Sequence, residues 1–290
     1  MEEIYAKARA KINLNLQVLN KRNDNYHNIK SVFQKINLYD EIYVKKNNTN
    51  NFVLETNIEE INNNENILYK AYMKLKENFQ SITGIKVLLN KRIPMQAGMG
   101  GGSTDCASFI LCMNKLFDLN LSKNEIINLG KSLGADVVPC LYNRAVIAEG
   151  IGDIITTINT NFKYYLVIVK PNISCNTREM YRKMDLEKPT VEFKKIDKMV
   201  KALENNNIEL IADNLHNMFE HAIPQKSLIN NIKKDFLSSG AIGSLMTGSG
   251  SCVYGIYKDK NEAKLSYKKL KQKYEAYICT SYNSKRGEMF

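Results

Sequence analysis

Gly98, Gly100, Gly101 and Gly102 fall within five residues, directly before a helical pattern. They belong to the stretch Pro94-Met-Gln-Ala-Gly-Met-Gly-Gly-Gly-Ser-Thr-Asp105, and the pattern after it runs through Ala107, Ile110, Leu111, Asn114 and Phe117. Glycine takes positive φ without penalty and lets backbone come close to a ligand. The helix that follows opens with unpaired N–H groups and the positive end of its dipole. Such a turn is an anion site in waiting, and phosphate is the usual anion. Two familiar phosphate loops are excluded by spacing. No Lys-Ser/Thr pair follows the glycines as a Walker loop requires, and Ser103 stands where a dinucleotide loop needs its third glycine. On this stretch alone, a plain turn between strand and helix is an equally good reading.

Around the glycines the patterning is that of strands mixed with helices. Residues 10–18 alternate: Ala10, Ile12, Leu14, Leu16 and Val18 on one side, Lys11, Asn13, Asn15 and Gln17 on the other. Period two predicts a half-buried strand. It places Lys11 and Asn13 on one polar face. A second strand is expected over 31–44, an Asn-rich hairpin or loop over 47–64, a helix over 65–79, and a strand over 85–89 that leads into the glycines. Ser122 and Glu125 form a capping box for a helix that Gly134 ends. Short strands are expected at 145–148 and 163–169. Helices follow at 193–205, 207–220 and 225–238, the last with Gly240 just past its end. Strands at 244–246 and 252–257 flank a second glycine turn, Gly248-Ser249-Gly250; a helix at 261–274 and a strand at 277–282 come last. This order fits α/β or α+β. A division near residue 160 gives two domains, 1–160 and 161–290.

Composition narrows the partners. No run of 18 apolar residues occurs, so a membrane partner is not expected. The N-terminus lacks the basic-then-apolar pattern of a signal peptide, and a cytoplasmic location is expected. The net charge of +11 would suit an anionic partner. Its lysines are spread along the chain rather than clustered, so nucleic acid is not the expected partner. Six cysteines form no Cys-x-x-Cys pair, so they read as reduced core thiols, and no protein metal site is expected.

Four features remain to be joined: Lys11 on its strand, the glycine stretch, Asp136 in Gly134-Ala-Asp-Val137, and Thr247-Gly-Ser-Gly250. Taken singly, Lys11 could be a solvated strand residue, Asp136 a cap of the helix end or the start of a turn, and the second glycine turn an ordinary connection. Together they resemble the GHMP kinase superfamily, named for galactokinase, homoserine kinase, mevalonate kinase and phosphomevalonate kinase. Three motifs carry the likeness in order: Ala8-Arg-Ala-Lys-Ile-Asn-Leu14, Pro94 to Asp105, and Met246-Thr-Gly-Ser-Gly-Ser251. Tyr26-His27, Asp105 and the Asp136 segment are similar to those of members that act on a cytidine-diphosphate-bearing polyol. Asn25 departs from a usual glycine, Arg9 from a common proline, and Val138-Pro139 from a Pro-aromatic pair.

The resemblance implies an α+β fold of two domains, an N-terminal one like ribosomal protein S5 domain 2 and a ferredoxin-like C-terminal one. It implies ATP with Mg²⁺, and phosphorylation of the 2-hydroxyl of 4-diphosphocytidyl-2-C-methyl-D-erythritol on the methylerythritol phosphate route to isoprenoids. Mevalonate or homoserine as acceptor, or a nucleic-acid-binding module, are the alternatives. In the roles it implies, Asp136 accepts the hydroxyl proton and Lys11 supports it. Pro94, Met95, Gln96, Ala97, Gly98, Met99, Gly100, Gly101, Gly102, Ser103 and Thr104 wrap the ATP phosphates. Asn13, Tyr26, His27, Thr177 and Tyr181 join Asp136 in holding the substrate, with Tyr26 and Tyr181 stacking on cytosine and His27 reading its edge. Gly248, Ser249 and Gly250 form the second glycine turn. A monomer or weak dimer is expected.

Overall fold

A computed structural model describes residues 1–187 and 190–284. The chain runs through β1 (Glu3–Lys21), β2 (His27–Lys46), β3 (Phe52–Thr56), α1 (Ile67–Asn78), β4 (Ile85–Asn90), α2 (Gly101–Leu116), α3 (Lys123–Leu133) and α4 (Val137–Cys140). It continues through β5 (Val146–Gly150), β6 (Ile154–Thr157), β7 (Tyr165–Lys170), α5 (Thr177–Glu187), α6 (Phe193–Glu204), α7 (Ile208–Asp213) and β8 (His216–Asn217). Last come α8 (Phe219–Ala222), α9 (Lys226–Ser238), β9 (Gly243–Met246), β10 (Val253–Tyr257), α10 (Lys260–Leu270) and β11 (Glu275–Thr280). The fold is α+β, as the resemblance implies. Among the described residues no helix is long and apolar enough to cross a membrane.

The chain forms two compact units, each discontinuous in sequence. Met1–Ala10, Leu38–Ile93 and Gly100–Leu141 make the first; Lys11–Asn37, Pro94–Met99 and Tyr142–Phe290 make the second. In the first unit β3 lies parallel to β4, with α1 as the crossover, and β4 pairs antiparallel with Glu41–Lys46 of β2. Helices α1, α2, α3 and α4 pack on one another, burying Leu68, Tyr72, Phe109, Ile110 and Val138. The capping box forms: the Glu125 N–H donates to Ser122 Oγ and the Ser122 N–H to Glu125 Oε2. The Asn-rich stretch contains the edge strand β3, whose Phe-Val-Leu core the polar surroundings mask in the sequence.

In the second unit Ile29–Phe33 of β2 pair with β5, β5 pairs with β6, and β8 lies parallel to β1 at Asn15 and Leu16. A separate antiparallel sheet has the order β11-β7-β10-β9. Its core gathers Val167, Val169, Phe219, Phe236, Val253 and Tyr257.

Two expectations need correction. Residues 10–18 form a strand, but not a half-buried one. Lys11, Asn13, Asn15 and Gln17 are as buried as the apolar residues between them. Alternation sorts residues onto two faces; it does not say that the polar face meets water. The helix expected over 207–220 is also broken. It stops at Asp213, gives way to β8 at His216 and Asn217, and resumes as α8 at Phe219. Asn15 Nδ2 donates to the Asn214 carbonyl at 3.1 Å, and Asn217 Nδ2 donates to the carbonyls of Met246 and Gly248. These long-range bonds extend the chain where its local pattern favours a turn of helix.

Candidate active site

In the second unit the buried polar face of β1 is a connected network. Lys11 Nζ donates to Asn13 Oδ1 at 2.9 Å and lies 4.8 Å above the centre of the Phe33 ring. Asn13 Nδ2 donates to Ser31 Oγ at 2.9 Å, and Ser31 Oγ to the Asn15 carbonyl at 2.6 Å. Even the backbone of Asn13 is engaged: its N–H donates to Thr247 Oγ1 and its carbonyl accepts from the Tyr254 hydroxyl. A buried polar group is costly unless paired. Pairing throughout makes this strand a rigid mount for the Lys11 ammonium. Asn13 therefore holds Lys11 from within the interior.

The same unit locks Pro94–Met99, the first part of the glycine stretch, against the second glycine turn. The Lys11 N–H donates to the Met99 carbonyl at 3.1 Å and the Cys252 N–H to the Ala97 carbonyl at 3.2 Å. Gly98 has φ +73°, and a Cβ there would lie 2.0 Å from the Thr247 carbonyl oxygen. Gly248 has φ +56°, and its Cβ would lie 2.6 Å from the Gly98 carbonyl oxygen. Each position excludes any side chain twice, by conformation and by contact. Asn217 holds the turn from below through its bonds at 2.7 and 2.8 Å to Met246 and Gly248. Ser249 Oγ lies 2.8 Å from Thr177 Oγ1, which ties the turn to the start of α5. The two glycine motifs, 150 residues apart in number (98 to 248), are one packed object.

Three further expected residues cluster at the β1–β2 hairpin and α5. His27 is buried, its ring stacked on Tyr181 with centroids 4.8 Å apart, and Tyr181 in turn meets Phe219 edge-on. His27 Nε2 lies 2.6 Å from Asp185 Oδ1, while Lys21 Nζ binds Asp185 Oδ2 at 3.0 Å. The hydrogen bond from His27, then Lys21, holds the Asp185 carboxyl below the usual carboxylate range. Tyr26 is 56% exposed at the hairpin tip. Asn25, just before it, has φ +66°. Asparagine is the residue after glycine that best tolerates this left-handed region, so the departure at Asn25 keeps the turn.

In the first unit Gly100 has φ +69° and starts α2 at Gly101. The Thr104 hydroxyl donates to the Arg9 carbonyl at 2.6 Å. Gly102 is open, with nothing near a Cβ built there. Asp136 is half-buried just ahead of α4, and its side chain makes no capping bond to that helix. Asp136 stands in the turn between α3 and α4, so of its plain readings the turn holds and a side-chain cap on α4 does not.

Between β4 and α2 the first unit holds a charged cluster that the sequence did not announce. Lys91 Nζ binds Asp40 Oδ2 and, at 2.5 Å, Asp105 Oδ2. Asp40 Oδ1 accepts from the backbone N–H groups of Arg92 and Ile93. All three side chains are at most 5% exposed. Burial pushes the Asp105 carboxyl well above its usual range, with Lys91 opposing and Asp40 adding to the rise. Burial alone would lower the Lys91 ammonium; Asp105 and Asp40 outweigh it and hold it up. Asp185, Asn217 and this cluster escaped the sequence reading because each acts through contacts that no local pattern encodes. The signal available was Asp105 itself, a carboxylate in an otherwise small and uncharged helix start.

Among the described residues no group of three or more His, Cys, Asp or Glu side chains could hold a metal ion. The second unit offers backbone N–H groups, hydroxyls and the Lys11 ammonium, a set that suits a phosphorylated ligand; the first unit offers the bare start of α2 and the Asp136 carboxylate, which can accept from an alcohol.

Comparison with known proteins agrees. Residues 66–144 match the family model of the GHMP kinases N terminal domain, and residues 199–276 that of the GHMP kinases C terminal domain. The chain is 38% identical over 287 residues to a 4-diphosphocytidyl-2-C-methyl-D-erythritol kinase of Alkaliphilus oremlandii, covering 98% of each. It is 40% identical over 277 residues to the enzyme of that name from Caldicellulosiruptor saccharolyticus, covering 95% of each. A crystal structure of 4-(cytidine 5'-diphospho)-2C-methyl-D-erythritol kinase superposes with a TM-score of 0.84 at 25% identity, covering 97% of this chain and all of that one.

Proposed function

The chain belongs to the GHMP kinase family, and on that premise we propose that it transfers the γ-phosphoryl of ATP to the 2-hydroxyl of 4-diphosphocytidyl-2-C-methyl-D-erythritol. The observation that carries this reading is the similarity to kinases of that name over nearly the whole chain, 38% and 40% identity over 287 and 277 residues. The division near residue 160 is supported by the two family models, which fall on either side of it at 66–144 and 199–276.

Phosphoryl transfer needs positioning and charge stabilisation more than covalent help. The acceptor oxygen attacks phosphorus, the bond to the bridging oxygen of ADP breaks, and the hydroxyl proton passes to Asp136. The role of Asp136 is to orient the hydroxyl and to take its proton as the bond forms. Lys11 offsets the charge that develops on the phosphoryl oxygens. Its bond to Asn13 and its seat over Phe33 support this role, because they hold the ammonium in one place. Pro94 to Thr104 wrap the ATP phosphates with backbone N–H groups. Mg²⁺ would come with the nucleotide as a hard cation, and when bound it would neutralise charge on the phosphates.

Tyr26 and Tyr181 frame the cytosine, and His27 reads its edge. With His27 Nε2 directed at Asp185, Nδ1 is the nitrogen that would meet the base. Thr177 and Asn13 complete the polar surround, Asn13 by holding Lys11.

A coupled ADP-release assay with MgATP tests the reading on three acceptors: 4-diphosphocytidyl-2-C-methyl-D-erythritol, mevalonate and homoserine. Turnover on the cytidylyl substrate alone is expected. Turnover on either of the others instead would keep Lys11 and Asp136 and discard the cytosine site. Lys11→Met and Asp136→Asn are each expected to lower turnover by at least about 100-fold with unchanged circular dichroism. Near-normal turnover in either removes that residue from the mechanism.

A further inference from the structure

The buried cluster Asp40–Lys91–Asp105 has no role in the chemistry above, yet it lies at both ends of the glycine stretch. Lys91, Arg92 and Ile93 are the last residues before Pro94, and Asp105 is the first after Thr104. Asp40 Oδ1 takes the N–H groups of Arg92 (at short range) and Ile93 (2.8 Å), so the incoming strand end cannot shift along the chain. Lys91 Nζ then bridges Asp40 to Asp105 in the opening turns of α2. A Cβ on Gly101 would lie 3.3 Å from the Lys91 ammonium, so the bare backbone at the helix start lets that ammonium sit tightly under it.

We propose that Asp40, Lys91 and Asp105 are positioning residues that pin the two ends of the glycine-rich loop to each other, and so preset the spacing of its N–H donors. Where it concerns ATP, this rests on the reading that Pro94 to Thr104 wrap the phosphates.

The charge arrangement fits such a clamp. An ammonium beneath a helix N-terminus meets the positive end of the dipole, an unfavourable place for it. Two carboxylates are what make it tenable, one on the strand side and one on the helix itself. A single carboxylate would have neutralised Lys91; the second adds no net stabilising charge but adds a second attachment point. Asp105 Oδ1 is buried with no hydrogen-bond partner, so the carboxyl is held through Oδ2, the oxygen that binds Lys91 Nζ. Groups facing Asp105 are Lys91 and Asp40, with the thiol of Cys106 beside it.

Bridge and charge can be separated at Asp105. Asp105→Leu leaves Asp40 and Lys91 as a neutral pair and removes only the bridge. Asp105→Asn is equally neutral but keeps an oxygen for Lys91 Nζ. Two readouts are needed: hydrogen exchange of the Gly100–Thr104 amides, and the Kd for a non-hydrolysable ATP analogue by calorimetry. In Asp105→Leu the amides are expected to exchange at least about tenfold faster and the Kd to rise by at least about tenfold. Affinity for the alcohol substrate should stay within about twofold. Asp105→Asn should restore both readouts. If the Leu and Asn variants behave alike, whether both intact or both impaired, the cluster is a fold-stabilising element only and the proposal is overturned. Should Asp105→Leu fail to fold, Asp105→Ala removes the same bond with a smaller side chain and leaves Asp40 and Lys91 as a neutral pair, and the same two readouts decide. If the unaltered protein fails to bind the analogue, the nucleotide reading falls, while amide exchange still decides the clamp.

Discussion

The glycine stretch is held by two kinds of chemistry in two places. Its ends are tied by ions: Asp40, Lys91 and Asp105, buried together in the first unit. Its middle, Pro94–Met99 in the second unit, is tied by neutral groups: backbone bonds to Lys11 and Cys252, and the close packing of Gly98 on Thr247 and Gly248. Neutral bonds each contribute about 0.5–1.5 kcal/mol and fail one at a time. A buried ion cluster hangs on its shared member, because the loss of Lys91 leaves both carboxylates without a counter-charge. The contrast suits a loop that must keep fixed ends while its middle meets a ligand.

The largest effect follows from that asymmetry. Lys91→Met strands Asp40 beside two backbone N–H groups and should cost about 3–5 kcal/mol in urea unfolding. A loss below about 1 kcal/mol would mean that the cluster is solvated and would erase the difference between ends and middle.

The neutral side breaks more gently, but Gly98 is its hardest point. Gly98→Ala puts a Cβ 2.0 Å from the Thr247 carbonyl oxygen and holds alanine at φ +73°. Overpacking costs about 1–3 kcal/mol and the left-handed conformation about 1–2 kcal/mol, so a sum of about 2–5 kcal/mol is expected. The same change at Gly102, where a Cβ meets nothing within 4 Å, should leave stability within about 0.5 kcal/mol. Equal losses at the two positions would contradict the packed clasp.

These two anchors also mark how far sequence reasoning reached. Every glycine of the clasp was visible, and so were Lys11 and Asp136, because conformation and chemical type are local properties. The interlock of Gly98 with Gly248 was not, nor was Asn217, which lay inside an expected helix. Lys91 stood just past a strand end and Asp40 within a strand, on chain where a charged residue normally meets water. The polar face of β1 failed for the same reason. Period two put Lys11, Asn13, Asn15 and Gln17 together, and only the packing of Thr247, Tyr254 and Asn214 against them made that side interior.

Asp105 allows the ionic side to be read by pH. Its folded carboxyl titrates above its usual range because burial opposes the charge. Between the unfolded value near ~4 and the raised folded value, the native state binds more protons than the unfolded state. Stability attributable to this group therefore falls as pH rises through that window. Asp105→Asn removes the titration, so the stability of the variant minus that of the parent should climb with pH from about 4 upward, at no more than ~1.4 kcal/mol per pH unit. Urea midpoints at a series of pH values would measure it. A flat difference would show that Asp105 is ionised at ordinary cost and that the cluster carries a net negative charge.

The smallest effect separates the two parts of the neutral clasp. Asn25 shares the left-handed conformation of Gly98, with φ +66°, but sits exposed in a hairpin tip. There, conformation acts without a close backbone contact. Asn25→Ala should cost about 1 kcal/mol from φ alone, and Asn25→Gly should stay within a few tenths of the parent, about 0.3 kcal/mol. Subtracting the Asn25→Ala loss from that of Gly98→Ala then isolates the contact with Thr247. If nothing remains after the subtraction, Gly98 is glycine for its φ alone and the two glycine turns are merely adjacent. A remainder of about 1 kcal/mol or more would mean that the second turn sets the shape of the first, through a contact between residues far apart in the chain.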